Sequence, residues 1–486
     1  MSTTHEAGWA HATGALRGPS WLREPVDPNA LVPQLWSATA RKVDGELEVG
    51  GVRLADLAAE HMTPAYVLDE ADLRGRAVAF RDAFAGWDVY YAAKAFWCTA
   101  VARWMAEDGL HVDCCSPGEL TVALRGGVDP ARIEYHGNNK TVPELRRVVA
   151  AGVGRVVVDS LTEVGRVAAV ARDLGVVQGV MVRVTPGVEA HTHEYIATAH
   201  EDQKFGLSIT TGAALEAVRR VHAEDSLALR GLHSHIGSQI FDASGFEVAA
   251  RRVLALHARV RDELGVEMPE LDLGGGFGIA YTTQDDPATP ESLAADLGRI
   301  VDAELRALGL ARPRLSIEPG RAIAGPATCT LYTVGTVKPV TLDAGAVRTY
   351  VSVDGGMSDN VRTALYDADY SCTLAARASD APPVLARVVG KHCEAGDVVV
   401  KDEFLPADVA PGDLLAVPAT GAYCRSMASN YNHSLRPPVV AVRDGVARVV
   451  VRRETEDDLL ATDVGNHAPA PTPGTALGTA HDGGDQ

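Results

Sequence analysis

The middle of the chain alternates short β-branched runs with amphipathic stretches. The runs are DVYYAAKA, HVDCCSPGE, RIEYHGNN, RVVVDS, VMVRVTPG, LRGLHSHIGS, ELDLGGGFG and RLSIEPGR. Between them lie segments such as TAVARWMAEDGL and TVPELRRVVAAGV, whose apolar residues recur at helical spacing. Eight strand-like runs, each followed by a helix, predict a closed (β/α)8 barrel of parallel strands, a TIM-like α/β fold. The residues just beyond the runs are polar, reactive or small: Lys94, Asp113, His136, Asp159, Arg183, His235, Gly274 to Gly276 and Glu318. Strand C-termini are where such barrels carry their chemistry, so one mouth is expected to hold the active site.

After Arg321 the pattern changes. TCTLYTVGTVKPV, RTYVSVDGG, DVVVKDEFL, DLLAVPAT and PPVVAVRDGVARVVVRRE are strand-like runs broken by Gly, Pro and Asp, which predicts an all-β C-terminal domain, a β-sandwich or β-barrel. KVDGELEVGGVRL, near residues 42 to 54, alternates in the same way. The expected organisation is a disordered tail over 1–25, an N-terminal segment over 26–60 adding to the β domain, a barrel over 61–325, a β domain over 326–465 and a disordered tail over 466–486.

Composition narrows the class. At 486 residues, 46% hydrophobic and 22% charged, the chain can bury large cores and reads as a globular enzyme. A net charge of -19 repels nucleic-acid phosphates, and no basic patch offsets it, so no nucleic-acid partner is expected. No apolar run reaches the roughly 20 residues of a membrane span, and the first residues lack the order of a signal peptide. The expectation is a cytoplasmic protein with no membrane partner. Seven cysteines without C-x-x-C spacing read as reduced thiols, and no metal site is expected.

Lysine is scarce, with seven in the chain, and Lys94 stands among apolar and aromatic residues. Burial there would depress its pKa and favour the neutral amine that forms Schiff bases, although a lysine snorkelling from a strand end fits the position equally well. In HSHIGSQ, His233 and His235 share one strand face. They read as a metal pair or, with Gly237 and Ser238 following, as a histidine set against a flat ligand with a phosphate beyond. GGGFG at 274–278 can bring backbone N-H groups to an anion but does not fit a dinucleotide fingerprint. It falls where barrels commonly bind phosphate. In EPGR, Glu318 and Arg321 are either a structural salt bridge or a carboxylate for a pyridine nitrogen beside a cation.

YAAKA, HGNNKT, KFGLS, HSHIGSQ, DLGGGFG, EPGRAI, DGGMSDNVRTALY, CEAGD and TGAYCRSMASNYN run in order from about Lys42 to Asp463. Together they resemble the fold-type III pyridoxal-phosphate-dependent decarboxylases and, within them, the diaminopimelate decarboxylases of actinobacteria. The resemblance implies pyridoxal 5'-phosphate as cofactor, held by Lys94 through a Schiff base, stacked by His235 and paired at its nitrogen with Glu318. Ser238, Gly275, Gly276 and Tyr423 would surround the phosphate, and Asp113 would be an acid near the cofactor. Arg321, Arg362, Tyr366 and Tyr423 would grip the substrate. Cys393, returning a proton after CO2 leaves, and Glu394, binding the distal ammonium, would enter from the neighbouring subunit of a homodimer.

The implied reaction is decarboxylation of meso-diaminopimelate to lysine, the last step of lysine biosynthesis. Other substrates on the same fold are ornithine, arginine and carboxynorspermidine. Two readings from other classes are a metal-dependent hydrolase using His191, His193, His233 and His235, and a non-catalytic binding protein. Two residues depart from the family pattern: Phe96 replaces the usual Asn, and Pro117 stands where Gly is common, which puts any ligand contact of that loop in doubt.

Overall fold

The computed structural model describes residue 19 and residues 21–187, 204–341 and 347–467. Most of the two expected tails, and His191 and His193, lie outside these residues. Eight parallel strands form the barrel: β1 (Asp88–Ala92), β2 (His111–Cys114), β3 (Ile133–Tyr135), β4 (Arg155–Val158), β5 (Gln178–Thr185), β6 (Leu227–His233), β7 (Glu270–Asp272) and β8 (Arg314–Ile317). Each pairs with the next, and β8 closes on β1 through Ser316 with Asp88 and Ile317 with Val89. Every residue of β1, β3 and β4 is buried. Strands covered on both faces read as unbroken apolar runs, which is why all eight stood out in the sequence.

The outer helices follow ordinary capping rules. Thr141 and Glu144 form a capping box at the start of Val142–Ala150, whose Leu145, Val148 and Val149 are buried. Pro117 is the first residue of the helix Pro117–Gly126, behind a Ser116 cap that accepts from the Glu119 N-H. At that position a missing N-H costs nothing, so the departure at Pro117 serves helix initiation. Phe96 is buried in the core.

The β-rich part is one branched nine-stranded sheet. Its main path runs Val398–Pro406, Pro383–Val389, Val347–Val353, Thr328–Thr341, Ala65–Asp69, Val439–Arg443, Val446–Val451. Ala65–Asp69 falls inside the span 61–325 expected for the barrel, yet it pairs with Thr328–Leu331 and with Val439–Val442. Both of its edges are occupied there, so the strand belongs to the second sheet. Residues 41–53 also differ from expectation. They form a separate three-stranded sheet of Arg41–Val43, Glu46–Val49 and Val52–Arg53, attached to the β-rich part where the Leu47 N-H donates to Ala375 O at 2.8 Å.

One apolar core joins the two parts. Tyr91, Phe277 and Ile317 from the barrel pack in the same cluster as Tyr332, Val353 and Cys424 from the β-rich region. The turn after Gly421 is tied to the loop after β1, with the Tyr423 N-H donating to Ala95 O at 2.9 Å and the Ser426 hydroxyl at 3.0 Å. These contacts bring Tyr423 and Arg362 over the barrel mouth.

Candidate active site

A cavity of about 800 Å³ opens at the C-terminal ends of the barrel strands. Lys94, His235, Ser238, Gly276, Glu318 and Arg321 line it from the barrel loops, and Arg362, Tyr366 and Tyr423 line it from the β-rich part. The structure thus gathers residues spread over more than 300 positions of sequence into one site.

Lys94 lies two residues beyond β1, and its side-chain surface opens into the cavity. Burial pulls the ammonium pKa down, but the nearby Tyr423, Asp113 and Glu318 outweigh that, and the net shift is upward. The expected depression therefore does not occur in the protein alone. The anions across the barrel mouth favour the charged amine. Asp113, at the end of β2, is buried beneath the cavity. Desolvation pushes its carboxyl up to about 7, with Glu318 adding to the rise and His136 and Lys94 opposing it.

Glu318 sits just past β8 and forms no salt bridge with Arg321. Its Oε1 lies 2.9 Å from His233 Nε2 and 3.2 Å from His136 Nε2. Burial opposes its ionisation, but the two histidines prevail and hold the carboxyl well below its ordinary range. His136 carries the compensating charge. Burial works against its imidazolium, and Asp113, Glu318 and Glu134 raise its pKa well above normal. His233 is lowered, by burial first, and stays neutral. It is the strand histidine of the pair, turned onto Glu318.

His235 is pushed well below its ordinary pKa by burial and by the Lys94 and Arg183 cations. Its neutral ring accepts the Gly275 N-H on Nδ1 at 3.2 Å. The glycines of the next loop are needed for fit. A Cβ at Gly275 would lie 2.2 Å from Glu318 O, and one at Gly276, where φ is +112°, would lie 2.5 Å from Gly237 O. The loop therefore presents bare backbone to the cavity beside Ser238.

At the outer wall Arg321 donates to Tyr281 Oη at 2.5 Å and to Ser238 Oγ at 2.8 Å, and its guanidinium lies 4.6 Å from the Tyr423 ring centre. Arg362 donates to Tyr370 Oη at 2.6 Å and sits 4.5 Å from the Tyr281 ring centre. Among the described residues neither arginine has a carboxylate at ion-pair distance, and Arg321 Nε is buried without a hydrogen-bond partner. Burial lowers Arg362, but Tyr281 and Tyr370 raise it further, so it stays charged.

Cys393 and Glu394 do not line this cavity; both are exposed on a loop of the β-rich part. Three site residues were missed in the sequence. Tyr281 and Tyr370 were not singled out there, and His136 was noted only as a polar residue after a strand. Their positions just beyond GGGFG, TALY and the third strand were the available signal. Of the constellation considered for a metal hydrolase, His233 and His235 are described; the first contacts Glu318 and the second Gly275.

Residues 70–325 match the family described as "Pyridoxal-dependent decarboxylase, pyridoxal binding domain". The diaminopimelate decarboxylase of Mycobacterium tuberculosis is 58% identical over 440 residues, covering 89% of this chain and 98% of the relative. That of Mycobacterium leprae is 54% identical over 468 residues, covering 95% and 99%. The crystal structure of diaminopimelate decarboxylase from M. jannaschii in complex with L-lysine superposes with a TM-score of 0.82 at 31% identity, covering 88% of this chain and 98% of that one. With a lysine opening into the cavity, a buried ionised carboxylate and a glycine-lined loop meeting at one barrel mouth, the chain belongs to the diaminopimelate decarboxylases, a branch of the pyridoxal-dependent decarboxylases.

Proposed function

We propose that this chain decarboxylates meso-diaminopimelate to L-lysine and CO2 with pyridoxal 5'-phosphate. The observation that carries this reading is the pair Arg321 and Arg362, two buried cations that have no carboxylate partner among the described residues and line the same cavity as Lys94. Buried cations need anions. A phosphate and a second carboxylate on the substrate supply them, whereas a diamine-forming substrate such as ornithine has no carboxylate to spare for the remote cation.

The residues present fit the cofactor. Lys94 offers the amine, Glu318 an ionised carboxylate able to hold a proton on a ring nitrogen, and His235 a neutral flat face. Gly275, Gly276, Ser238 and Tyr423 border the space for a phosphate, with Asp113 beneath. When bound, the cofactor supplies the sink for the electron pair left as CO2 departs. The chain's part is to keep Glu318 charged through His136, to orient the substrate carboxylate with Arg321, Arg362 and Tyr366, and to exclude water behind Tyr281 and Tyr370. Cys393 returns the proton and Glu394 binds the distal ammonium, both delivered by a second copy in a two-fold homodimer. The seven cysteines are free, in keeping with a cytoplasmic setting.

The test is to incubate the protein and pyridoxal phosphate separately with meso-diaminopimelate, ornithine, arginine and carboxynorspermidine, and to identify products by mass. Lysine from the first tube alone is the expected result. Product from another tube alone overturns the assignment of the arginine pair.

A further inference from the structure

We infer that Asp397 and His392 are positioning residues that clamp the Cys393–Glu394 pair in the shape required by a second copy's cavity. The inference rests on the proposed sharing of sites between two chains. Cys393, Glu394 and Ala395 are exposed, but the residues on either side of them are buried and fastened. Asp397 accepts from the Met357 N-H on Oδ1 at 2.6 Å and from the His392 N-H on Oδ2 at 2.8 Å. Its own N-H donates to Glu394 O at 3.1 Å, closing the turn. The His392 ring sits 2.8 Å from Ser358 Oγ and 3.0 Å from Asn432 Oδ1. With the proton on Nδ1 it donates to Asn432 and accepts the Ser358 hydroxyl.

The anchoring side is itself rigid. Asp359 accepts from Tyr332 Oη at 2.5 Å and from the Gly356 N-H at 2.9 Å, and the Tyr66 hydroxyl donates to Asp359 O at 2.5 Å. A Cβ at Gly356 or Gly390 would come within 2.5 Å of the Asp397 carboxylate, so both flanks must be glycine for it to fit. The four residues between the two buried bolts lose freedom before any partner arrives. The segment 355–362 that holds the clamp also carries Arg362 into the chain's own cavity. One loop therefore supports a cation for its own site and, through the clamp, a thiol and a carboxylate for the other.

Mixed dimers test this in trans. Asp397→Asn, which turns an amide N-H toward a backbone N-H, and the milder Ser358→Ala are each made as homodimers and each mixed in equal amounts with Lys94→Ala. A Lys94→Ala with Cys393→Ala mixture is the reference. The Asp397→Asn homodimer is expected to lose activity by about a hundredfold, the cost of a small misplacement, and Ser358→Ala by about tenfold, the loss of one hydrogen bond. Mixing either with Lys94→Ala restores about one quarter of wild-type activity, because half of randomly paired dimers hold one intact site. Should the reference recover while the Asp397→Asn and Ser358→Ala mixtures do not, the residues act inside their own cavity and the inference fails. Recovery in none, the reference included, refutes site sharing and the inference with it. Full activity in both homodimers also overturns the clamp. If Asp397→Asn yields no dimers by sedimentation, Ser358→Ala decides.

Discussion

The floor and the outer wall of the cavity are both built from buried charges, but they are balanced differently. On the floor Glu318 lies beside His136 and His233, and deeper in the barrel Arg155 donates to Glu270 Oε2 at 3.0 Å and Asp272 Oδ2 at 2.5 Å while also pairing with Glu134. At the wall, Arg321 and Arg362 have, among the described residues, hydroxyls of Tyr281, Ser238 and Tyr370 and aromatic ring faces but no carboxylate. A buried charge satisfied within the protein sets the state of its neighbours. One left without a counter-ion sets what may enter. On the proposed function, the floor would hold the cofactor common to the family's reactions and the wall would select the substrate.

The largest break in this comparison comes at the floor. Glu318→Gln keeps the shape and removes the anion, and kcat for diaminopimelate is expected to fall by about 10² to 10⁴, with circular dichroism unchanged. A fall confined to KM would refute the role given to Glu318. His136→Gln deprives Glu318 of its charged partner without touching the cavity lining. A charge-assisted hydrogen bond contributes about 1.5–3 kcal/mol, so kcat should drop roughly ten- to a hundredfold.

At the wall the effects are smaller and of another kind. Tyr281→Phe removes the acceptor for Arg321 but keeps the ring beneath Arg362. About 1 kcal/mol predicts roughly a fivefold rise in KM with kcat held, read by steady-state kinetics, and a matching loss of lysine affinity by calorimetry. A change in kcat alone would mean that the wall acts on the reacting centre.

The smallest effect sharpens the picture of the floor. Desolvation raises the Asp113 carboxyl to about 7 in the folded chain, so between its unfolded value and that pH the native state holds a proton that the unfolded state has released. The contribution to stability is full at low pH and is lost as pH rises through about 7. The melting temperature of the cofactor-free protein should fall more between pH 5 and about pH 7.5 in the wild type than in Asp113→Asn. Equal slopes would show that Asp113 is not protonated in the fold.

The eight barrel strands and the catalytic mouth were legible because strands buried on both faces leave continuous apolar runs and their ends leave polar residues. Local chemistry also marked the glycine loop and Glu318. What the chain could not announce were properties that depend on distant neighbours. Ala65–Asp69 has the same apolar look as a barrel strand, and only the two free edges offered by Thr328–Leu331 and Val439–Val442 assign it to the other sheet.

The sign of the Lys94 shift has the same origin. Its sequence neighbours are apolar and argue for a depressed pKa, whereas the folded barrel brings Asp113 and Glu318 to it from other strands. Tyr281 and Tyr370 become the support of an arginine pair only when the β-rich part closes over the barrel and sets their rings edge to face, 5.2 Å apart. Fold class was a property of the sequence itself, since it rests on local pattern, and the cofactor followed from the family resemblance that the ordered motifs carry. Charge states, strand partnership and the empty counter-charge at the wall were decided by tertiary structure, because electrostatic energy and hydrogen bonding depend on distance in space and not on separation along the chain.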